Sequence, residues 1–204
     1  MFKDREDAGI KLAAYLEKYK RRKDCIVLGL ARGGVVVAAA VAKALELPLS
    51  VATPRKLGAP GNPELAIGAV METGEPYLNE PLIQALGVSI KYINSEIERE
   101  RKRSAERSQL FTKKKPLLKD KTVLLIDDGI ATGATMYASI ESVKKQQASA
   151  IVVAVPTGPS STIEILQEQV DEVVCLETLD LGSVSCAYED FSEVHDKDVI
   201  ALLA

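Results

Sequence analysis

Histidine, cysteine and long apolar runs are scarce in this sequence of 204 residues. The three cysteines, Cys25, Cys175 and Cys186, are odd in number and lack the close spacing of zinc ligands. No zinc site is therefore indicated, and a reduced cytoplasmic compartment is expected. The one histidine, His195, lies in an acidic tail, which is more typical of a surface residue than of a catalyst.

Membrane and general nucleic-acid-binding proteins are also disfavoured. No stretch reaches the roughly 18 apolar residues of a membrane span, and residues 1–7 are charged rather than apolar. The 26 Lys and Arg residues are offset by 29 Asp and Glu residues, so the net charge is only −3. The length fits a single domain over residues 1–204, with a core from about 24 to 178.

Six strand-like apolar runs are separated, for the most part, by helical patterns. The runs cover residues 25–30, 49–53, 66–71, 122–126, 150–155 and 172–176. An amphipathic helix is predicted over 3–21 and a buried helix over 34–45. This alternation predicts an α/β fold with a parallel sheet, helices on both faces and a ligand at the carboxyl ends of the strands.

Residues 123–135 carry the most specific functional signal. An apolar strand end runs into Asp127 and Asp128, and a turn rich in glycine and threonine then leads to a helical pattern. Free backbone N–H groups at a helix start attract phosphate, and carboxylates accept hydrogen bonds from vicinal hydroxyls. The segment predicts a sugar-phosphate site, although Asp-Asp-Gly is also a common turn and threonines also cap helices.

This segment resembles the motif of type I phosphoribosyltransferases that binds 5-phosphoribosyl-1-pyrophosphate (PRPP). The resemblance implies that fold, with a small hood over the base formed by the N-terminal helix and residues 179–204. It also implies that Asp127 and Asp128 hold the ribose hydroxyls. The stretch that would surround the 5′-phosphate is Ala131, Thr132, Gly133, Ala134 and Thr135. Gly129 is a further residue expected to bind PRPP.

A second glycine-rich loop, residues 29–34, follows the first strand. It lacks the Rossmann pattern and the acid that should follow the next strand, so a dinucleotide oxidoreductase is disfavoured. By the same resemblance, Ala31, Arg32 and Gly33 bind the pyrophosphate of PRPP, and the family often has a non-proline cis peptide there. The alternative is a plain strand-to-helix turn with a solvent-facing arginine.

Residues 53–64 are dense in proline and glycine and are predicted to form a long loop. The resemblance implies a flexible loop that closes over PRPP, with Arg55 and Lys56 as pyrophosphate contacts. An antiparallel pair, 66–71 with 76–79, should flank it. An ordinary surface loop is the alternative.

Residues 89–121 combine a short apolar stripe, Ile90, Ile93 and Ile97, with six consecutive charges at 98–103. A basic zone follows at Lys113, Lys114, Lys115, Lys119 and Lys121. These features predict a solvent-exposed helix and linker. The alternative is a patch that faces phosphate or nucleic acid.

The tail from residue 179 onward holds aromatic residues among many acids. In the family the chain ends cover the base, so Tyr188 or Phe191 could stack on it. The acids are Asp180, Glu189, Asp190, Glu193, Asp196 and Asp198. Simple anchoring of the tail to the core is the alternative for both aromatic residues.

The implied reaction moves the phosphoribosyl group of PRPP to a nitrogenous base and releases pyrophosphate. Asp127, Asp128, Arg32 and Lys56 are the expected catalytic residues. Mg²⁺ would be bound with PRPP or pyrophosphate; no direct protein ligand is expected, and the two aspartates could act through water. The hypoxanthine-guanine enzymes carry aspartate where this chain has Ala131, which disfavours a 6-oxopurine.

The partners expected are therefore PRPP and a nucleobase-like small molecule, and a homodimer is compatible with the resemblance. The alternative function is a non-catalytic PRPP-sensing regulator that binds RNA or DNA through the basic zone between residues 91 and 121.

Overall fold

The computed structural model describes residues 1–112, 115–179 and 183–204. Its strands are β1 (Cys25–Leu30), β2 (Leu49–Ala52), β3 (Arg55–Ala59), β4 (Asn62–Val70), β5 (Tyr77–Leu78), β6 (Thr122–Ile126), β7 (Ala150–Gly158) and β8 (Glu172–Thr178). Its helices are α1 (Arg5–Tyr15), α2 (Gly33–Leu45), α3 (Glu80–Leu86), α4 (Ile90–Phe111), α5 (Ala134–Lys145), α6 (Ser160–Gln167) and α7 (Asp196–Leu203).

A parallel sheet forms the centre, with the strand order β2-β1-β6-β7-β8. Alternate side chains of each strand point to opposite faces. Val27, Leu124 and Val152 pack against α1 and α2, whereas Leu28, Leu125 and Val153 belong to the core covered by α5 and α6. The prediction of a parallel sheet with helices on both faces is confirmed.

Helix α1 is shorter than the predicted 3–21. The Asp4 side chain accepts a hydrogen bond from the Asp7 N–H and caps the start, and a single 3₁₀ turn, Glu17–Tyr19, replaces the last helical residues. Leu12 and Leu16 are fully buried between α2 and the sheet. Each such leucine contributes about 1.5–3 kcal/mol of hydrophobic stabilisation, which explains why this short helix is held firmly.

The two chain ends meet. Phe2 pairs with Tyr188 in a parallel bridge, and the Phe2 N–H donates to the Ala187 carbonyl at 2.7 Å. Phe2, Ala8, Ala187 and Tyr188 form a small buried cluster. The C-terminal segment is thereby attached to the start of the chain.

The prediction of a long loop over 53–64 was wrong. Most of that segment is the hairpin of β3 and β4, which turns at Pro60 and Gly61, and β4 also pairs antiparallel with β5. Leu57 and Ala59 are buried against Ile93 of α4, and this burial favours paired strands over an open loop. Pro63 is tolerated because β5 pairs with β4 only at Gly68 and Ala69, which leaves that end of β4 at an edge.

Helix α4 packs on β3 and β4 and also joins this hairpin to the parallel sheet. The Thr53 hydroxyl donates to the Ser104 carbonyl at 3.0 Å, and the Ser104 hydroxyl donates to the Thr53 carbonyl at 2.7 Å. Thr53 directly follows β2, so this buried exchange fixes α4 beside the carboxyl edge of the sheet. No helix in the described ranges is both long enough and apolar enough to cross a membrane.

Candidate active site

The two glycine-containing loops meet because β1 and β6 are neighbours. The strands run parallel, and Gly29 lies opposite Ile126 at their carboxyl ends. The loop at 31–33 and the segment 127–135 therefore leave the sheet side by side. We call these two segments together the motif side of the site.

Glycine is required where the loops touch. A Cβ atom on Gly33 would lie 1.9 Å from Oδ2 of Asp128, and a Cβ atom on Gly34 would lie 2.7 Å from Oδ1 of Asp127. The Cβ atom on Gly34 would also lie 2.8 Å from the Asp127 Cα atom and 2.8 Å from the Ile126 carbonyl oxygen, so position 34 requires glycine. At position 33, a Cβ atom would force the Asp128 and Arg5 side chains to move. The peptide bond between Ala31 and Arg32 is cis, as the resemblance implied for this loop.

The two aspartates have different surroundings. Oδ1 of Asp127 accepts the Asp128 backbone N–H at 2.9 Å. Burial raises the pKa of Asp127 well above its ordinary value, and the charge of Asp128 raises it further. Asp128 instead accepts from Arg5, whose Nε lies 2.7 Å from Oδ2.

Arg5 was missed by the sequence reasoning, and it connects three parts of the site. Its guanidinium contacts Asp128, donates to the Ser192 carbonyl at 2.8 Å and lies 3.7 Å from the centre of the Phe191 ring. The Tyr188 hydroxyl donates to the Asp128 carbonyl at 2.5 Å. Helix α1 and the tail thus hold Asp128 through its side chain and its backbone together.

An open helix end completes the motif side. Gly133 precedes α5 with φ +75°, a left-handed conformation that favours glycine, and no side-chain hydrogen bond caps the first turn. Ala131 and Thr132 are exposed in front of it. The free N–H groups and the positive helix end form an anion-binding geometry.

Charged residues of β3 and α4 face the motif side across an open cleft of about 390 Å³, which Ala31 and Thr135 also line. We call them the helix side: Arg55, Lys56, Glu96, Arg99, Glu100, Arg103 and Arg107. This cleft is lined by three residues that the sequence predicted to bind one ligand, namely Ala31 from one segment and Arg55 and Lys56 from another.

Two buried glutamates organise the helix side. Glu100 contacts Arg55 at 3.0 Å, Arg103 at 2.7 Å and Arg99 at 3.2 Å. Glu96 contacts Arg99 at 2.6 Å and accepts the Gly58 N–H at 3.2 Å. Burial alone would raise the pKa of Glu100, but the hydrogen bonds and charges of Arg55, Arg99 and Arg103 outweigh it, so the pKa is lowered.

The prediction of a solvent-exposed helix over this region was therefore wrong in part. Glu96 and Glu100 are each only 3% exposed, whereas Ile90, assigned to the apolar stripe, is 77% exposed. The signal was present as small residues, Ser104 and Ser108, which continue the buried face of α4. Lys113, Lys114 and Asp180 lie outside the described residues.

The aromatic residues of the tail serve the site differently from each other. Tyr188 is buried with ring contacts to Phe2 and Phe191, so its hydroxyl rather than its ring reaches the motif side. Phe191 lies under Arg5, and its contact with a base stays a prediction. His195 is exposed and caps the start of α7, consistent with a surface residue.

A family model now accounts for most of the chain. The model of the phosphoribosyl transferase domain matches residues 2–190. The chain belongs to this family. A Mycobacterium tuberculosis protein (strain H37Rv) described as a candidate phosphoribosyl transferase is 40% identical over 208 residues, covering 100% of this chain and 46% of that protein. The chain thus spans about half the length of the curated relatives it matches.

Solved structures agree with the family. The protein TT1426 from Thermus thermophilus is 40% identical with a TM-score of 0.81, covering 100% of this chain and 97% of that one. The Giardia lamblia APRTase complexed with 9-deazaadenine is 14% identical with a TM-score of 0.50, covering 87% and 80%, and this likeness concerns the fold alone. The fold is that of the type I phosphoribosyltransferases.

The acidic groups that the motif side offers to a metal ion are two neighbouring carboxylates. Among the residues that the structure describes, no group of three or more His, Cys, Asp or Glu side chains could hold a metal ion. Asp127 and Asp128 are a pair of carboxylates, each with one oxygen engaged by a protein donor. Mg²⁺ commonly takes one or two carboxylates together with water and substrate phosphates, and this pair fits that donor set.

Proposed function

We propose that this chain transfers the 5-phosphoribosyl group of PRPP to a nitrogenous base and releases pyrophosphate. The observation that carries the proposal is the meeting of Asp127, Asp128, the open start of α5 and the loop at 31–33 at adjacent strand ends. Each feature suits one part of PRPP: hydroxyl acceptors for ribose, N–H donors for the 5′-phosphate and a glycine loop for pyrophosphate.

Ribose would be held by the two aspartates. The remaining carboxylate oxygens can accept hydrogen bonds from the 2′ and 3′ hydroxyls, and Arg5 keeps the Asp128 carboxylate in place. The 5′-phosphate would lie against residues 131–135, where the backbone N–H groups of α5 are free of side-chain caps. This fixes C1 of the ribose beside the loop at 31–33.

Catalysis would be mainly electrostatic. As the bond from C1 to pyrophosphate breaks, the sugar gains positive charge and the leaving group gains negative charge. Arg32, Arg55 and Lys56 supply cations to the leaving group, and Glu100 holds the Arg55 guanidinium at 3.0 Å. The base nitrogen attacks C1, and no protein nucleophile is needed.

Mg²⁺ belongs to the proposal as a cation bound with PRPP or pyrophosphate. It would neutralise phosphate charge, and Asp127 and Asp128 would hold it through water. The choice of base is constrained by Ala131, which removes the aspartate expected for a 6-oxopurine, and by Phe191 in the tail.

A nucleobase panel tests the proposal. Pyrophosphate release from PRPP and Mg²⁺ should be seen with at least one base in the panel, including adenine, hypoxanthine, guanine, uracil and orotate. The matched control is Asp127→Asn with Asp128→Asn, which should give no release. An absence of turnover with every base would contradict the transferase proposal.

The nucleic-acid-binding regulator gains no support from the structure and stays a prediction. Three cations of this region have partners within the chain: Arg101 donates to the Gly74 carbonyl, Lys115 contacts Glu72, and Lys121 donates to the Lys23 carbonyl. These contacts reduce the positive charge offered to phosphate. A homodimer likewise stays a prediction.

A further inference from the structure

One carboxylate of the tail lies between an arginine of the helix side and an arginine of the motif side. Oδ1 of Asp196 lies 3.3 Å from Nη2 of Arg107 on α4 and 4.0 Å from Nη1 of Arg32 in the loop at 31–33. Glu193 also contacts Arg32, at 2.9 Å. A single negatively charged oxygen can therefore be shared by the two arginines.

Arg107 differs from the other two arginines of α4 that line the cleft. Arg99, Arg103 and Arg107 are four residues apart and all line the cleft. Arg99 and Arg103 pair with the buried glutamates of their own helix. The ion pair of Arg107 is instead with Asp196, a residue of the tail that is 39% exposed in its side chain.

We propose that Arg107 is a further anion-binding residue, which together with Arg32 binds the pyrophosphate group of the ligand, and that the Asp196 carboxylate competes for this position. The inference rests on the proposed function and extends it to α4. Condensed phosphates are the ligand class, because a diphosphate offers two charged groups to two separated guanidinium groups.

The local charge supports this assignment. Burial lowers the pKa of Arg107; Asp196 opposes this shift, whereas Arg55 and Arg32 add to it. The guanidinium groups of Arg55 and Arg32 are thus close enough to repel that of Arg107. An anion placed among them relieves that repulsion, as the Asp196 carboxylate partly does, and a diphosphate carries more charge than one carboxylate.

The two residues predict opposite effects on one measurement. Inorganic pyrophosphate with Mg²⁺ and, separately, ribose 5-phosphate would be titrated calorimetrically into the complete chain. Arg107→Gln should weaken pyrophosphate binding by about tenfold or more, since a charge-assisted hydrogen bond is lost. Asp196→Asn should strengthen it by about threefold or more, since a competing charge is removed. Ribose 5-phosphate affinity should change less than about twofold in both variants.

Lys102→Gln is the matched control, because Lys102 lies on the same helix with its side chain 80% exposed and should leave both affinities unchanged. A general loss of folding cannot produce the tightening expected of Asp196→Asn. Any one of three results would overturn the inference. Arg107→Gln and Lys102→Gln could have equal pyrophosphate affinity, or Arg107→Gln could lose affinity equally for pyrophosphate and ribose 5-phosphate. The third such result is an Asp196→Asn variant that binds pyrophosphate no more tightly than wild type. These binding results do not depend on turnover, so a failure of the transferase assay would be separately visible.

Discussion

The motif side and the helix side of the cleft are built from different kinds of interaction. On the motif side, neighbouring strand ends, close glycine contacts and an open helix start create the site from two short segments, 31–33 and 127–135. On the helix side, Arg55 meets Glu100 from 45 residues away in the sequence. The first arrangement is local and leaves polar groups open toward a ligand, whereas much of the second satisfies charge within the protein.

One acid from each side, Asp127 and Glu100, shows the same difference. Asp127 has a raised pKa, because burial and the Asp128 charge oppose its ionisation. Glu100 has a lowered pKa, because three arginines outweigh the effect of burial. A carboxyl group whose ionisation destabilises the fold is typical of a functional position. A carboxylate that is paired with several arginines is typical of a structural position. Substitutions of the acids should therefore lower ligand affinity on the motif side and the stability of the fold on the helix side.

The largest effect is expected from Asp127→Asn combined with Asp128→Asn. PRPP affinity should fall by more than about 100-fold, because several hydrogen bonds from ribose hydroxyls to charged acceptors are lost. The far-ultraviolet circular dichroism spectrum should be unchanged. Calorimetry with PRPP and Mg²⁺ measures the affinity, and an unchanged dissociation constant would show that the ribose assignment is wrong.

Glu100→Gln tests the helix side. The free energy of unfolding should fall by about 1–3 kcal/mol, because Arg55, Arg99 and Arg103 lose a shared charged acceptor while remaining partly exposed to solvent. Urea denaturation measures this loss. The matched control is Glu98→Gln on the exposed face of α4, which should change stability by less than about 0.5 kcal/mol. Equal stability of the two variants would refute a structural role for Glu100.

The pH dependence of stability should have opposite signs on the two sides. Because the pKa of Asp127 is raised, its contribution to stability is fully present at pH values below its ordinary pKa of 3.8. That contribution is lost as the pH rises through the pKa of the folded state. The lowered pKa of Glu100 contributes stability above its ordinary value of 4.5, and this is lost as the pH falls through the folded pKa.

The free energy of unfolding of Asp127→Asn, relative to wild type, should therefore increase as the pH rises. The loss of unfolding free energy caused by Glu100→Gln should become smaller as the pH falls below about 4.5. Urea unfolding from about pH 3 to pH 8 measures both trends. Parallel trends in the two variants would remove the electrostatic contrast between the motif side and the helix side.

Arg5→Gln should produce a smaller effect on the motif side. Loss of the contact to Oδ2 frees the Asp128 carboxylate, so PRPP affinity should weaken by about tenfold, which corresponds to one charge-assisted hydrogen bond. Lys11→Gln, on the exposed face of the same helix, is the control and should bind like wild type. If both variants bind PRPP equally well, Arg5 does not position Asp128.

The smallest effect is expected from Tyr188→Phe. The change removes the hydroxyl that donates to the Asp128 carbonyl but keeps the buried ring, so stability should fall by about 0.5–1.5 kcal/mol. Thermal or urea unfolding measures it. Tyr15→Phe is the control, because Tyr15 is 68% exposed and its loss should be close to zero. A loss no greater than that of the control would remove the proposed link between the tail and the motif side.

The motif side could be predicted from the sequence because each of its two segments is a short consecutive run whose chemistry depends on backbone geometry. Residues 127–135 after an apolar strand, and the loop at 31–33 after another, meet once the strands are neighbours. The contact of Arg5 with Asp128 joins residues 123 positions apart, and no local pattern indicates it. The hairpin at 55–70 was missed because its proline and glycine content resembles a loop.

The burial of charged residues on α4 was the feature hardest to predict from the sequence. A run of six charged residues predicts solvent exposure, and only the spacing of Glu96, Glu100, Ser104 and Ser108 along one face distinguishes a buried polar stripe. Its arginine partners lie partly on another element, so their pairing depends on tertiary packing rather than on helix periodicity.

The decisive measurement for the site is a crystal structure of the chain with PRPP and Mg²⁺. Both ribose hydroxyls should lie within about 3 Å of the carboxylates of Asp127 and Asp128, with the 5′-phosphate against the first turn of α5. The pyrophosphate group should lie between Arg32 and the helix side. PRPP bound with its ribose away from the two aspartates would show that the motif side is not the ribose site.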